Sequence, residues 1–548
     1  MLGSHAFLSL LADEGITYLF GNPGTTELPL MAALPRFPHM RYVLGAQEAA
    51  VVAMADGFAR ASGQLAVANV HVAPGLGNAM GSLFNAQWVG SPLIITAGQH
   101  ETGHGLTEPM LYAPLEPIAR PLVKWTVEIT RLADLPRAMR RAAKIALAPP
   151  TGPVFMSLPG DVLDAEAQLE LGQPNRVDAG NRPSDATLEH LAKRLLSAER
   201  PALICGHEVS TRRAITPAIM LAELLGATVY QDTIQTAASF VSTHDCYVGM
   251  LTRNQRDVAE RLGHHDLLIC LGTDLLRMSV PSDVSPLPPR MPVIQIGERN
   301  DDLAKNFPTE IALQANVRDT LDALTSVLQA RQTLKHAQTA ATRREQLQAN
   351  NWSSRRAQLI ETIGRRTGRP ISPDLLMLRL AETLPPETIV VDEGLTSTRR
   401  LPELFAYRDA QSYYGLASGG IGFAIAGAIG IRLAVPDRPL VAVIGDGSAL
   451  YNIQALWTAA HLRLPMVFVI ANNYGYGILK ERVRTGYRTE TYVGMDFADP
   501  LIDFARLAAA LGVPGHRIVD PDDIAPALQH ALAHNGPTLL DIVVGEAR

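Results

Sequence analysis

The sequence predicts an α/β protein made of three doubly wound parallel-sheet domains, and three observations predict it. Short apolar runs of strand length alternate with helix-length segments almost from end to end, the pattern of parallel sheets covered by helices. Polar stretches interrupt the alternation twice, leaving three units of similar size with no short-period repeat. A chain of 548 residues that is 47% hydrophobic and 19% charged also has material for several cores.

The first domain is expected over 1–175. Its strands include "LAVANVHV" (65–72) and "PLIITAG" (92–98), with a helix expected between them over 78–89 and an amphipathic helix in "EAAVVAMADGFARA". "GQPNRVDAGNRPSD" (172–185) has little apolar content and reads as a linker. A middle domain over 186–328 carries "ALICG", "ATVYQD", "HDLLICLG" and "PVIQIG" as strands. The Gln- and Arg-rich stretch that follows, 329–370, reads as a solvated helical linker. A third domain, 371–548, takes its strands from "ETIVVDEG", "PLVAVIG", "PMVFVIANN" and "PTLLDIVV".

The formal charge of -6 is dispersed, with no basic block to suggest a nucleic-acid partner, so small-molecule chemistry is expected. Cys205, Cys246 and Cys270 have no C-x-x-C spacing and sit in or beside apolar runs. They read as buried reduced thiols of a cytoplasmic protein. The N-terminus lacks a basic n-region and a cleavage site, and no run reaches about 18 apolar residues, so no membrane insertion is expected.

The chemistry concentrates in "VAVIGDGSALYN" (441–452), a buried-looking strand that ends in Asp446 between two glycines. The next strand ends at Asn472-Asn473, and strands joined by a right-handed crossover finish at one edge of the sheet. Asp446 and Asn473 therefore emerge side by side, near a helix expected to start at about Tyr451. Hard oxygen ligands there suit Mg²⁺, or Ca²⁺ in its place, bridged to a diphosphate. A glycine turn with Asp as a helix cap is the plainer reading of "GDGS" alone. The rival phosphate loop, "SGGIGFAIAG" (418–427), lacks the third glycine of a dinucleotide fingerprint and the acidic residue expected about 20 positions later.

"GDGS" followed at this spacing by "NN" resembles the thiamin-diphosphate signature. With "FGNPGTTELPL", "GAQEAAVVAMADGFARASG", "NVHVAPGLGNAMGSLFNA", "SPLIITAG" and "SYYGLASGGIGFAIAGAIG", nearly the whole chain is similar to the thiamin-diphosphate-dependent decarboxylase and acetolactate-synthase superfamily, most of all to its benzoylformate decarboxylase branch. The resemblance implies a pyrimidine-binding, a middle and a diphosphate-binding domain, with active sites built between subunits of a homodimer at least, a homotetramer being expected. It implies that Asp446, Asn473 and the Gly475 carbonyl hold Mg²⁺. Gly447, Ser448, Thr396 and the backbone of Tyr476, Gly477 and Ile478 would contact the diphosphate. Gly419 and Ile421 would meet the aminopyrimidine, Ile421 as the wedge that bends the cofactor.

Glu48 matches the activating glutamate. Its apolar sequence neighbours lead us to expect desolvation to raise its pKa and let it share a proton with a pyrimidine nitrogen. Unaided, the same Glu would read as a solvated charge at a helix start. His71 matches the catalytic histidine, its neutral-range pKa suiting proton transfer, although a histidine there is as often structural. Thr25 matches a hydroxyl that holds the substrate carboxylate; on its own it reads as a turn or cap residue.

Two departures stand out. The region after the "LLICLG" strand, "GTDLLRMSVPSD", lacks the branch's second histidine, while His264 and His265 precede that strand and should lie at its far end. His100 and His104 lie at the correct edge and could substitute for it, two surface-loop histidines being the plainer reading. Lys480 and Arg482 stand where aromatic-acid decarboxylases tend to be apolar; they either face solvent or meet a second acidic group on the substrate. The expected activity is non-oxidative decarboxylation of a 2-oxo acid to an aldehyde and CO₂. The alternative is a carboligase of the acetolactate-synthase type, and a non-catalytic cofactor-binding paralogue comes last.

Overall fold

A computed structural model describes residues 1–366 and 368–545. It contains three six-stranded, wholly parallel sheets. The first comprises β1 (Tyr18–Gly21), β2 (Arg41–Leu44), β3 (Ala66–Val70), β4 (Leu93–Gln99), β5 (Thr126–Glu128) and β6 (Val154–Pro159), in the order β2-β1-β3-β4-β6-β5. The second comprises β7 (Pro201–Cys205), β8 (Thr228–Gln231), β9 (Tyr247–Met250), β10 (Leu267–Leu271), β11 (Val293–Gly297) and β12 (Ile311–Gln314), in the order β12-β11-β10-β7-β8-β9. The third comprises β13 (Ile389–Glu393), β14 (Tyr413–Gly415), β15 (Leu440–Gly445), β16 (Met466–Asn472), β17 (Gly515–Ile518) and β18 (Pro537–Val543), in the order β14-β13-β15-β16-β18-β17. The fold class is thus α/β with three doubly wound sheets. Among the described residues no helix is long and apolar enough to cross a membrane.

Five helices bear on the site and are numbered α1 (Glu48–Ser62), α2 (Val72–Val89), α3 (Ala424–Ala434), α4 (Asp446–Asn452) and α5 (Gly477–Tyr487). The α1 start is set by Gln47, whose side chain accepts the Ala49 and Ala50 N–H groups, and its end by Gly63 at φ 70. Nearly every α1 side chain is buried, which propensity alone would not achieve. It crosses α3 at backbone contact: a Cβ on Gly57 would lie 2.1 Å from the Gly427 carbonyl oxygen, and one on Gly430 would lie 1.9 Å from that of Met54. This crossing merges the first and third sheets' helices into one apolar core. At the far end of α1, the Arg60 Nη2 donates to the carbonyls of Thr236 (2.5 Å) and Gly415 (2.9 Å), and the guanidinium lies 4.7 Å from the Phe423 ring centroid. One side chain thereby ties all three units together.

Three elements differ from the sequence reading. The α2 helix begins at Val72, directly after His71, not at Asn78; Pro74, Gly75 and Gly77 lower its propensity, yet its inward face packs on α1. The α4 helix begins at Asp446 itself, not near Tyr451, because the Asp446 carboxylate accepts the N–H groups of Gly447 and Gly475. The Gln- and Arg-rich stretch folds as two helices, Leu334–Leu347 and Trp352–Gly364, with Trp352 buried; its Thr367 lies outside the described residues.

Gly430→Ala is expected to lower stability by about 1–3 kcal/mol, since the added methyl must displace the α1 backbone. A urea or thermal melt checks this, and an unchanged midpoint would contradict the close crossing.

Candidate active site

The polar groups gather at the carboxyl ends of the first and third sheets, where open α/β sheets bind ligands. On the first sheet, β3 delivers His71 and the α1 start delivers Glu48. The Glu48 carboxyl is buried, but its own neighbours are polar: Asn22 Nδ2 donates to one oxygen at 2.9 Å and Asn78 Nδ2 to the other at 3.0 Å. The apolar residues adjacent in sequence point elsewhere around the helix, which corrects the apolar setting expected for this group.

His71 Nδ1 lies 2.8 Å from Glu27 Oε2, and Thr26 Oγ1 lies 3.1 Å from the same nitrogen. Glu27 is fully buried and its oxygens also accept the N–H groups of Gly24 (2.9 Å) and Gly98 (2.8 Å) and the Thr26 hydroxyl (2.9 Å). A carboxylate only accepts, so the bond places a hydrogen on Nδ1 and leaves Nε2 as the imidazole's reactive nitrogen. Gly24 is needed here, because a Cβ would lie 2.2 Å from His71 Nδ1. Thr25 is exposed on the same turn.

On the third sheet, β15 and β16 run in parallel register, Gly445 opposite Ala471, so Asp446 and Asn473 leave adjacent strand ends. Asp446 is buried; desolvation pushes its carboxyl up to about 6, while the backbone N–H groups of Gly447 and Gly475 oppose the shift. The Asn473 amide faces the Gly475 carbonyl at 2.7 Å and Asp446 Oδ1 at 3.3 Å. With its nitrogen toward them it donates to both. With its oxygen toward them, three oxygens converge without a hydrogen between them, a donor set that suits Mg²⁺ or Ca²⁺. Among the described residues no trio of His, Cys, Asp or Glu gathers as a softer metal would require.

Around this point Ser448 and Thr396 are buried, and Gly477 passes so near Thr396 that a Cβ would lie 3.2 Å from its hydroxyl. Gly447 lies under the Tyr476 ring, where a Cβ would come within 2.6 Å, and Ile478 is half-buried in the first turn of α5. Gly419, exposed, and Ile421, half-buried, sit on a loop held from two sides: Asn85 of α2 donates to the Gly420 carbonyl at 2.8 Å, and buried Glu393 accepts the N–H groups of Gly422 and Ala424. Burial pushes the Glu393 carboxyl up to about 7 despite these donors.

Non-glycine residues hold left-handed backbone just past three strand ends: Val72 (φ 40) after β3, Leu395 (φ 49) after β13 and Tyr474 (φ 59) after β16. Such strain concentrates at ligand sites, and for β-branched Val72 it is a marked outlier. Glu27, Asn22, Asn78 and Glu393 were not singled out from the sequence. For Asn22 and Glu27 a signal existed, since both lie in "FGNPGTTELPL". His265 bonds Tyr230 and the Arg200 carbonyl beside the amino ends of β7 and β10, away from the carboxyl edge, and burial lowers its pKa to about 4. His100 and His104 pack edge-on near the end of β4, their ring centroids 6.3 Å apart.

A parallel-sheet edge with hard-cation donors and phosphate-sized helix starts, paired with a second edge bearing a buried carboxyl and a carboxylate-held histidine, defines an α/β enzyme for a diphosphate cofactor. The chain belongs to the thiamine pyrophosphate enzymes: it matches their N-terminal TPP binding domain over residues 1–110, their central domain over 188–324 and their C-terminal TPP binding domain over 396–542. It falls in the carbon–carbon lyase class that includes the decarboxylases. It is 33% identical to a benzoylformate decarboxylase of Pseudomonas aeruginosa over 98% of both chains. An acetolactate synthase large subunit of Haemophilus influenzae is 26% identical over all of this chain and 95% of its own. A solved Rhodococcus jostii thiamine diphosphate-dependent 4-hydroxybenzoylformate decarboxylase superimposes with a TM-score of 0.89 at 32% identity, covering 100% of this chain and 99% of that one.

Glu27→Ala would leave the N–H groups of Gly24 and Gly98 without their acceptor. Stability is expected to fall by about 2 kcal/mol or more, read as a lower urea midpoint; an unchanged midpoint would contradict this buried network.

Proposed function

We propose that the protein is a thiamin-diphosphate- and Mg²⁺-dependent 2-oxo acid decarboxylase that releases CO₂ and an aldehyde. The observation that carries this reading is one sheet edge holding both the amide-bonded Glu48 carboxyl and the His71–Glu27 couple. Asp446, Asn473 and the Gly475 carbonyl would hold the cation, and Gly447, Ser448, Thr396, Tyr476, Gly477 and Ile478 the diphosphate. Gly419 and Ile421 would meet the aminopyrimidine. When bound, the cofactor supplies a carbon nucleophile and an electron sink for the departing carboxylate.

The chain's own residues do the rest. Asn22 and Asn78 orient Glu48 so that its carboxyl can pass a proton to a ring nitrogen of the cofactor. Glu27 fixes the His71 tautomer, leaving Nε2 to take up or deliver the proton that replaces CO₂. Thr25 offers its hydroxyl to the substrate carboxylate. The three buried free cysteines support a cytoplasmic location. Exposed apolar Leu106, Met110 and Leu111 support assembly at least as a homodimer.

One observation favours a second reading, carboligation. The loop after β10 carries no histidine, and its Arg277 is parked 3.2 Å from the Trp88 ring centroid, so fewer groups stand ready to protonate the decarboxylated carbon before a second carbonyl takes it.

Glu48→Gln is expected to cut CO₂ release at least about 100-fold while calorimetry still detects thiamin diphosphate binding with Mg²⁺. Unchanged turnover would overturn the role of Glu48. In the wild type, equal amounts of CO₂ and aldehyde support decarboxylation, CO₂ with a hydroxyketone supports ligation, and no CO₂ from any 2-oxo acid contradicts both.

A further inference from the structure

The carboxyl edge of the third sheet carries a basic cluster that the chemistry above does not use. Helix α5 starts against Thr396, and one turn later Glu481 ties it to the same loop through Arg399, whose terminal nitrogens lie 2.7 and 3.3 Å from the carboxylate. Arg482 stands four residues after Ile478 and so shares its helix face, about 6 Å further along. From the middle unit, the loop after β9 brings Arg253 to the same place. Partial burial, and then the like charges of Arg482 and Arg399 against the pull of Tyr413 and Asp392, hold the Arg253 guanidinium below the usual arginine range.

Arg399 and Arg482 thus stand against Glu481, which Arg399 already engages, while the carboxylate that draws Arg253 is Asp392. Among the described residues Arg253 and Arg482 form no ion pair, and Arg253 reaches only the Thr233 carbonyl, at 3.5 Å. Like charges brought together from two separate units repel unless an anion joins them. The planar fork of arginine matches a carboxylate bidentately. The cluster also lies one helical turn beyond residues placed at the diphosphate, within the reach of a short substrate chain.

We propose that Arg253, Arg399 and Arg482 receive a second carboxylate, so that the substrate is a 2-oxo dicarboxylic acid. This rests on the decarboxylase reading. The carbon–carbon bond to the 1-carboxylate breaks, CO₂ leaves, and one proton takes its place, giving an oxo acid whose second carboxylate is unchanged.

Two measurements on the full chain, loaded with saturating thiamin diphosphate and Mg²⁺, test it. In the first, kcat/KM is compared for 2-oxoadipate, 2-oxohexanoate of equal chain length, and phenylglyoxylate. 2-Oxoadipate is expected to lead by at least about tenfold, and its ratio to 2-oxohexanoate to collapse by a similar factor in Arg253→Leu and Arg482→Leu, with partial recovery in Arg482→Lys. In the second, glutarate is expected to raise the wild-type melting temperature by about 2 °C or more over an equal concentration of pentanoate, and not to do so in the two leucine variants. Equal or better use of the neutral acids, with a ratio unmoved by the substitutions, overturns the proposal. If no acid releases CO₂, the decarboxylase reading falls on its own. The glutarate shift then decides: present in wild type and lost in the variants upholds the carboxylate site, and absent in wild type overturns it.

Discussion

Two helix backbones, α1 and α3, approach so closely that neither could carry a side chain at the crossing. Gly57 meets the Gly427 carbonyl and Gly430 meets that of Met54, which makes dispersion contacts dense and fixes the angle between the first and third sheets. The consequence reaches the site because α1 begins at Glu48. Its far end holds Arg60, which closes onto Thr236 of the middle unit and Gly415 of the third. One helix therefore aims a carboxyl at one end and locks the domain arrangement at the other.

Upon that frame the site's polar groups are held before any ligand arrives. Each oxygen of Glu48 has an amide donor, Glu27 has donors from a turn and from β4 besides His71, and Glu393 pins the loop that carries Gly419 and Ile421. Fixed dipoles of this kind need no reorganisation when charge moves. Asp446 is the contrast. Its burial is opposed only by backbone N–H groups, and the nearest side chain, Asn473, can present either end of its amide. A divalent cation would resolve that ambiguity in favour of oxygen.

The strongest parts of this arrangement were legible in the sequence because they rest on short-range rules. A buried strand ending in Gly445-Asp446-Gly447, with Asn473 at the end of the next strand, becomes a spatial pair once parallel register is assumed. What was not legible depends on distant partners. Glu27 finds His71 44 positions away and Gly98 71 positions away, and nothing in "PGTTE" alone announces either bond. The polar setting of Glu48 was hidden likewise, since Asn22 and Asn78 arrive from other elements while its sequence neighbours are apolar. Strands as short as β5, β14 and β17 exist only through pairing with β6, β13 and β18. The start of α2 was obscured by Pro74, Gly75 and Gly77, whose weak helix propensity is overridden by packing on α1.

The central claim, that the first-sheet edge of one copy of the chain and the third-sheet edge of a second copy, both set by the α1–α3 crossing, form one cofactor site, is tested most directly by an experimental structure of the protein with thiamin diphosphate and Mg²⁺. The account predicts a cation about 2.1 Å from oxygens of Asp446, Asn473 and Gly475, with the Asn473 amide oxygen turned toward it, and the Glu48 carboxyl of a second copy of the chain on the cofactor's aminopyrimidine. A cofactor bound away from either edge, or an Asn473 nitrogen facing the Gly475 carbonyl beside a bound diphosphate, would contradict it.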